Sequence, residues 1–419
     1  MADARKTAIK ALSAVLSEKG FSNLVIDKYI DEDKLSPLDA SFAAALFYGT
    51  LERLLTLDYI IETASGRKIN KIDKECINIL RTAVYQLYYM DKVHDGAAVN
   101  EAVKLTKKGK KAFLSSFVNA VLRKISRDRE SFLPPKDRLD LAYSCNKGIV
   151  ESFIKDYGNE KATEILKYSL NRSETVLRIN SLKITDNEFV KLLDGAGISY
   201  EYMGDHSVRL QKSGNIENNP LYANGFFHVQ SRVSQLCAEA VGVCKGDTVL
   251  DCCAAPGGKS FTMAEMMQNE GSLISCDIHP HRVSLIEKGA KRLGITCIKP
   301  TLSDATNPTL EVNEFDKILC DVPCSGFGML CEKPDIKYKD PSDFDELPDL
   351  QHRILETAAK MLKSGGRLVY STCTLRKAEN EQVTEKFIKD HEDFKIISQK
   401  TYFPSEYGSG FFISVIERR

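Results

Sequence analysis

The chain has no tryptophan, only seven histidines and no net charge, and it lacks any apolar run of the roughly 18 residues that crossing a bilayer takes. The missing tryptophan excludes nothing. The histidines are scattered; His279 and His281 merely flank Pro280 and read as a solvated turn, so no metal site is predicted. No membrane span is expected. The opening residues, Met1 to Arg5, lead into a charged amphipathic helix and not a signal peptide. The charge balance, 58 basic against 58 acidic residues, argues on the scale of the whole chain against a nucleic-acid binder, which is usually basic. Twelve cysteines are present, but their closest groupings are Cys252-Cys253 and Cys320, Cys324 and Cys331. Neither is a paired CxxC pattern, which excludes a zinc ribbon, and no regular spacing suggests a disulfide framework. Free thiols in a chain of this length point to a reducing cytoplasm.

What is there is ordinary globular material, 43% hydrophobic and 28% charged, and 419 residues suffice for two or three cores. Residues 1–130 read as nearly all helix. Ala8, Leu12, Val15 and Leu16 form one helical stripe, Cys76, Leu80, Ala83, Val84 and Leu87 another, and Phe113, Phe117, Val118, Val121 and Leu122 a third. This segment is not neutral: it carries 22 basic and 17 acidic residues. Its densest run is Lys104, Lys107, Lys108, Lys110 and Lys111. Such a run is ordinarily a solvated face; the alternative is a phosphate-contacting patch. Residues 131–228 follow as a connector around Pro134-Pro135, a helix over 147–170 and a small α+β unit, with strands at 175–180, 207–210 and 225–229 and a helix at 186–193.

From 229 onward, strands alternate with helices. The expected strands are 248–252, 272–277, 296–299, 315–321, 366–371, 394–398 and 411–416; the expected helices lie near 231–241, 259–268, 280–292, 345–362 and 378–390. Short apolar strands alternating with helices specify an α/β sheet covered on both faces, with ligands beyond the carboxyl ends of the strands.

The loop Asp251-Cys252-Cys253-Ala254-Ala255-Pro256-Gly257-Gly258-Lys259-Ser260 follows the first of these strands and opens a helix. Gly257 and Gly258 allow a tight turn and close approach of a ligand. The spacing fits neither the phosphate-cradling P-loop nor GxGxxG. About 20 residues later Asp277 ends the next strand, where a carboxylate can accept from both hydroxyls of a ribose. Asp304 follows the third strand, within reach of an adenine edge, and Asp321 ends the fourth. One such aspartate is commonly a cap or turn residue. Acids near successive strand ends suggest a pocket for S-adenosylmethionine.

Two cysteines stand in similar places. Asp321-Val322-Pro323-Cys324-Ser325-Gly326 leaves strand four, and Ser371-Thr372-Cys373-Thr374 leaves strand five. A lone cysteine is more often a small buried hydrophobe, and Cys76, Cys145, Cys237, Cys244, Cys276, Cys297 and Cys320 are read that way. Cys324 and Cys373, both at strand carboxyl ends, are instead expected to face one cleft. A thiolate there suits methylation of a pyrimidine carbon: addition to C6 of cytosine makes C5 nucleophilic, and later loss of the C5 proton and of the thiolate restores the ring. A carboxyl group near N3 would stabilise the adduct, and Asp321 is the candidate.

Asp251–Ser260, Asp321–Gly326 and Ser371–Thr374 together resemble the RNA 5-methylcytosine methyltransferases of the NOL1/NOP2/Sun family, over about 225–419. The resemblance implies that Cys373 attacks C6 and that Cys324 assists product release or proton abstraction. It implies cofactor contacts from Cys253, Ala254, Ala255, Pro256, Gly257, Gly258 and Lys259, with Asp277 on the ribose, Asp304 at the adenine and Asp321 lining the catalytic pocket. Lys259 would hold the methionine end or the active site. Further upstream, Phe47-Tyr48-Gly49-Thr50-Leu51, Leu80-Arg81-Thr82-Ala83-Val84-Tyr85-Gln86-Leu87, Ala98–Val103 and Phe117–Arg123 look like the NusB RNA-binding fold.

The expected architecture is therefore an α/β, Rossmann-like methyltransferase core with a seven-stranded mixed sheet (229–419), an N-terminal all-helical NusB-like domain (1–130) and a small α+β RNA-binding domain (131–228). Domains so joined resemble the bacterial 16S rRNA methyltransferases of this family, which implies cytosine 967 as target, S-adenosylmethionine as cofactor, rRNA before full small-subunit assembly as partner, and a cytoplasmic monomer. The alternatives are another rRNA or a tRNA cytosine, a non-catalytic assembly factor with a degenerate core, and, more weakly, DNA. Three stretches depart from the family pattern. Cys331-Glu332 replaces an Arg-Arg pair before Lys333-Pro334-Asp335, with Lys337 retained; Ser231-Arg232 replaces Asp-Glu; and Ser409 replaces an Asp.

Overall fold

The computed structural model describes residues 3–18, 22–109, 111–212, 216, 218–310 and 313–419. Lys110 of the basic run, and Met1 and Ala2 of the opening segment, lie outside the described residues. The chain divides into two compact units, Met1–Leu170 with Lys333–Asp340, and Asn171–Glu332 with Pro341–Arg419.

The first unit is helical. Its main helices are Ala4–Glu18, Ser22–Glu32, Pro37–Glu52, Leu54–Ser65, Lys74–Tyr89, Asp95–Lys108, Ser115–Arg127 and Lys147–Tyr168. Local chemistry sets their starts. Ser36 accepts from the Asp39 amide and Pro37 occupies the first turn, while Asp73 accepts from Glu75 and Cys76. Gly49 lets two helices cross: a Cβ there would lie 2.0 Å from the Tyr85 ring. Arg81 holds Asp58 through two hydrogen bonds of 2.6 and 2.7 Å. The predicted stripes pack as expected except at Leu16 and Phe113, which are exposed; Phe113 sits in a 3₁₀ turn, Ala112–Leu114, ahead of its helix. In the basic run, Lys104 pairs with Glu101 at 2.7 Å and Lys111 with Asp73 at 3.7 Å.

The segment Lys333–Asp340 belongs to this unit. Lys337 is fully buried and its Nζ donates to the Glu52 carbonyl at 3.2 Å, at the negative end of the helix Pro37–Glu52. Tyr338 donates to the Leu51 carbonyl, and Asn146 N donates to the Lys337 carbonyl at 2.7 Å. Lys337, retained after the altered Cys331-Glu332, therefore presents no open positive charge.

In the second unit, β1 (Thr175–Ile179), β2 (Tyr200–Gly204), β3 (Ser207–Leu210) and β4 (Phe227–Val229) form an antiparallel sheet in the order β2-β3-β1-β4. β2 escaped the sequence reading because it is a polar edge strand, half exposed. The helix Asp186–Gly195 covers this sheet and starts with a capping box between Thr185 and Glu188.

The larger sheet holds β5 (Thr248–Asp251), β6 (Ser272–Asp277), β7 (Ile298–Leu302), β8 (Phe315–Asp321), β9 (Leu362–Thr372), β10 (Phe394–Tyr402) and β11 (Phe411–Arg418) in the order β10-β11-β9-β8-β5-β6-β7. β5 to β9 are parallel; β11 runs antiparallel to β9, and β10 antiparallel to β11. Successive residues bury on opposite faces. Val249, Leu273 and Leu319 pack with the helices Arg232–Val241, Gly258–Met266 and Pro280–Leu293; Leu250, Ile274 and Ile318 pack with Leu347–Met361 and Glu381–Asp390. The strand order reverses between β5 and β8, and such a switch point opens a crevice at the carboxyl ends of the strands. Among the described residues no helix is long and apolar enough to cross a membrane.

Candidate active site

The loop after β5 turns sharply at Gly257, which has φ of +114°. A Cβ there would stand 2.4 Å from Phe261, whose ring also fills the space a Cβ on Gly289 would need. Only glycine fits, and the result is a cradle of bare backbone at the start of the helix Gly258–Met266, with Ala254 and Ala255 buried beneath it. Beside the cradle Asp251 is fully buried and accepts from Ser260 at 2.7 Å; its other oxygen has no hydrogen-bond partner among the described residues, and burial pushes the carboxyl up to about 7. The Cys253 thiol is raised by burial, which keeps it protonated.

Asp277 ends β6 and is almost wholly buried. It accepts from the His279 amide at 2.9 Å and pairs with Arg282 at 3.1 Å. Arg282 also donates to the Ala255 carbonyl at 3.0 Å, lacing the glycine loop to the strand end. The sequence reading missed Arg282; its signal was a cation in the first turn of the helix after Asp277. The carboxylate keeps lone pairs for further donors. Asp304 is not drawn into this cluster: it is exposed and accepts from the Thr306 amide and hydroxyl at 2.8 and 2.7 Å, which holds its carboxyl below the usual range.

Asp321, Lys259, Cys324 and Cys373 do come together. The parallel register sets Asp321 beside Ser371, so β8 and β9 release their next residues at one level. Asp321 accepts from Lys259 at 2.7 Å through one oxygen and from Ser371 at 2.8 Å through the other. Burial works against the Lys259 ammonium, but the Asp321 carboxylate outweighs it, and the amine is held above its ordinary range. The Sγ atoms of Cys324 and Cys373 are 3.2 Å apart. The hydrogen bond to Cys373, then burial, push the Cys324 thiol well up. The amide of Gly328 donates to the Cys373 carbonyl at 3.0 Å, and a Cβ on Gly328 would overlap the Gly410 carbonyl, so the strand ends are held closely.

The departures from the family pattern have local partners. Glu332 accepts from Ser409, so the two altered positions touch each other. Ser231 caps the helix Arg232–Val241, and Arg232 pairs with Glu239 at 2.9 Å and Asp205 at 3.0 Å. Cys331 donates to the Asn171 carbonyl at 3.0 Å. Of the cysteines read as buried, Cys244 is exposed and Cys297 half-buried. His279 and His281 stack on each other in a solvated turn, and among the described residues no cluster is suited to a metal ion.

A seven-stranded sheet in this order, with a glycine cradle after β5 and acids at the strand ends around the switch point, is the fold of the S-adenosylmethionine-dependent methyltransferases. Comparison with known proteins narrows the class. The family described as 16S rRNA methyltransferase RsmB/F matches residues 240–414, the NusB family matches 2–127, and the RsmF/B-like ferredoxin-like domain matches 147–217. A Bacillus subtilis protein named "Probable ribosomal RNA small subunit methyltransferase B" is 38% identical over 401 residues, covering 93% of this chain and 89% of its own length. Escherichia coli O157:H7 ribosomal RNA small subunit methyltransferase B is 29% identical, covering 99% and 98%. The solved structure of PH0851 superposes with a TM-score of 0.84 at 23% identity, covering 99% of this chain and 98% of that one. A methyltransferase homologue from Pyrococcus horikoshii gives 0.60 at 28% identity, covering 67% and 98%. The chain belongs to the ribosomal RNA small subunit methyltransferase B family.

Proposed function

We propose that this protein methylates C5 of a cytosine in 16S rRNA, cytosine 967, in the cytoplasm and before the small subunit is complete. The observation that carries this reading is the pair of thiols, 3.2 Å apart, beside the Lys259–Asp321 ion pair. Methylation of an exocyclic amine needs no thiol; methylation of a pyrimidine carbon does.

The residues around the cradle fit S-adenosylmethionine. Gly257 turns the loop tightly at the helix start, the second oxygen of Asp251 is an unmet acceptor among the described residues, and the Asp277 carboxylate has acceptor capacity that would suit ribose hydroxyls. Bound there, the cofactor would supply an electrophilic sulfonium methyl. Cys253 to Lys259 would line its methionine side, and Asp304 the rim near its base.

Cys373 adds as thiolate to C6 of the cytosine, and the ring becomes nucleophilic at C5. Asp321, drawing a proton from the Lys259 ammonium paired with it, protonates N3 or hydrogen-bonds to it and stabilises the adduct. After methyl transfer to C5, Cys324 takes part in removing the C5 proton or in release, and Cys373 leaves as the thiolate while aromaticity returns.

The test is Cys373→Ala in the full chain, assayed with S-adenosylmethionine and a 16S rRNA transcript. Methyl transfer is expected to vanish while cofactor binding by calorimetry persists. Bisulfite sequencing of rRNA and tRNA from a deletion strain fixes the target; a mark lost from tRNA alone rejects the rRNA assignment.

A further inference from the structure

Behind the two cysteines lies a carboxylate that the chemistry above leaves without a task. Glu379 is fully buried. It accepts from Ser325 N at 2.9 Å and Ser325 Oγ at 2.6 Å, from Gln351 Nε2 at 3.0 Å and from Arg376 Nη1 at 3.5 Å. Four donors meet the four lone-pair sites of one carboxylate, so its acceptor capacity is filled. Its neighbours lead to both reacting turns. Ser325 follows Cys324 directly. With its hydroxyl proton given to Glu379, Ser325 Oγ accepts from Thr374 Oγ1 at 2.8 Å, and Thr374 follows Cys373 directly. Gln351 also donates to the Pro323 carbonyl at 2.9 Å, just before Cys324, and Tyr370 donates to the Glu379 carbonyl at 2.5 Å.

The next residue completes the arrangement. Asn380 stands at the N-cap of the helix Glu381–Asp390, yet its side chain does not cap it. It accepts from Thr372 Oγ1 at 2.5 Å and donates to the Thr374 carbonyl at 3.0 Å, on either side of Cys373. Two adjacent residues thus grip two turns that come from different strands.

The geometry points to Glu379, with Asn380, as the positioning element that fixes the distance between the Cys324 and Cys373 thiols. This rests on the reading of those cysteines as the reacting pair. Glu379 touches neither sulfur; it acts through Ser325 and Thr374. An amide in its place would set its NH2 against the two donors that meet one carboxylate oxygen, leaving them without an acceptor in a buried site, and the Cys324 turn would shift.

The experiment uses Glu379→Gln and Ser325→Ala in the full-length protein, with two readouts. One is methyl transfer to the rRNA transcript. The other is the rate at which diamide joins Cys324 to Cys373; the thiols lose two hydrogens as the Sγ–Sγ bond forms, diamide is reduced to the hydrazine, and mass spectrometry maps the product. In Glu379→Gln, kcat is expected to fall about 100-fold and disulfide formation about tenfold, with KM for S-adenosylmethionine unchanged, since a misplacement near 1 Å costs that much. Ser325→Ala should move both readouts in the same direction, by less. A folded Glu379→Gln with wild-type kcat overturns the proposal, as does a loss of kcat with an unaltered disulfide rate. Should Glu379→Gln fail to fold, Ser325→Ala decides, and wild-type values of both readouts overturn it. Failure of the underlying cysteine reading shows elsewhere: Cys373→Ala would keep its turnover while Glu379→Gln still slowed disulfide formation.

Discussion

The thiols of Cys324 and Cys373 stand 3.2 Å apart although 49 residues separate them in the chain. They meet because β8 and β9 are parallel neighbours in a register that pairs Asp321 with Ser371. Two thiols at this spacing cannot both be thiolates at low cost, since like charges so close repel strongly. The hydrogen bond to Cys373 and burial raise the Cys324 thiol; the proposed order gives the attack to Cys373 and the later step to Cys324.

That division of labour predicts a trapped intermediate. Cys324→Ala, incubated with S-adenosylmethionine and the rRNA transcript, should accumulate a protein–RNA adduct that survives denaturing electrophoresis. The double variant Cys324→Ala with Cys373→Ala should form none. An adduct of undiminished yield in the double variant would show that Cys373 is not the attacking group.

The glycine cradle makes a second prediction. Gly257→Ala places a side chain at φ +114°, 2.4 Å from Phe261. Backbone strain of this kind costs about 1–3 kcal/mol, and the ring that must move forms part of the loop's support. Calorimetry should show weakened S-adenosylmethionine binding together with a lower Tm. Wild-type affinity in this variant would place the cofactor elsewhere.

Much of this was legible beforehand, for identifiable reasons. β6 and β8 were read with their observed limits because each is a short apolar run stopped by an aspartate. β9 begins at Leu362, earlier than expected, because Gly365 and Gly366 look like a turn and yet lie within a strand whose pairing with β8 shifts register there. β10 runs on to Tyr402 because an edge strand tolerates Lys400 facing solvent, while the half-buried Gln399 accepts from Thr384 at 3.0 Å. In the site, Cys324, Cys373, Asp321 and Lys259 were carried by compact motifs. Arg282, Ser371 and Glu379 act through partners 27 to 54 residues away. Closures of that length depend on register and helix placement, which local patterning does not encode. The burial of Lys337 was hidden for the same reason.

The ion pair at the centre of the site gives a third prediction. Asp321→Asn preserves shape but removes the charge that holds Lys259 and the carboxyl group that would deliver a proton to N3. Single-turnover methyl transfer should fall by roughly 100-fold or more, the scale of a lost acid–base group, with S-adenosylmethionine binding retained. A variant within a few-fold of wild type would remove Asp321 from the chemistry.

Stability against pH follows from a second buried pair. Glu265 and His228 are both enclosed, with His228 Nδ1 at 3.6 Å from Glu265 Oε1 and Arg178 donating to Glu265 at 3.1 Å. Burial pushes the Glu265 carboxyl up from 4.5 to about 8, against the pull of Arg178, and pushes His228 down from 6.5 to about 3. The folded pair thus holds one proton between about pH 3 and 8. The unfolded pair holds two below pH 4.5, one between 4.5 and 6.5, and none above. Stability rises with pH wherever the unfolded state binds more protons. The two contributions therefore oppose each other between pH 4.5 and 6.5, and stability falls on either side: toward acid because His228 resists protonation, toward alkali because Glu265 must give up its proton. The slope from either group alone approaches ~1.4 kcal/mol per pH unit. Calorimetric Tm values should decline from pH 6.5 to 8 in the wild type, and Glu265→Gln should abolish that decline while keeping the acid arm that His228 supplies. An alkaline decline of equal steepness in Glu265→Gln would assign it to other groups.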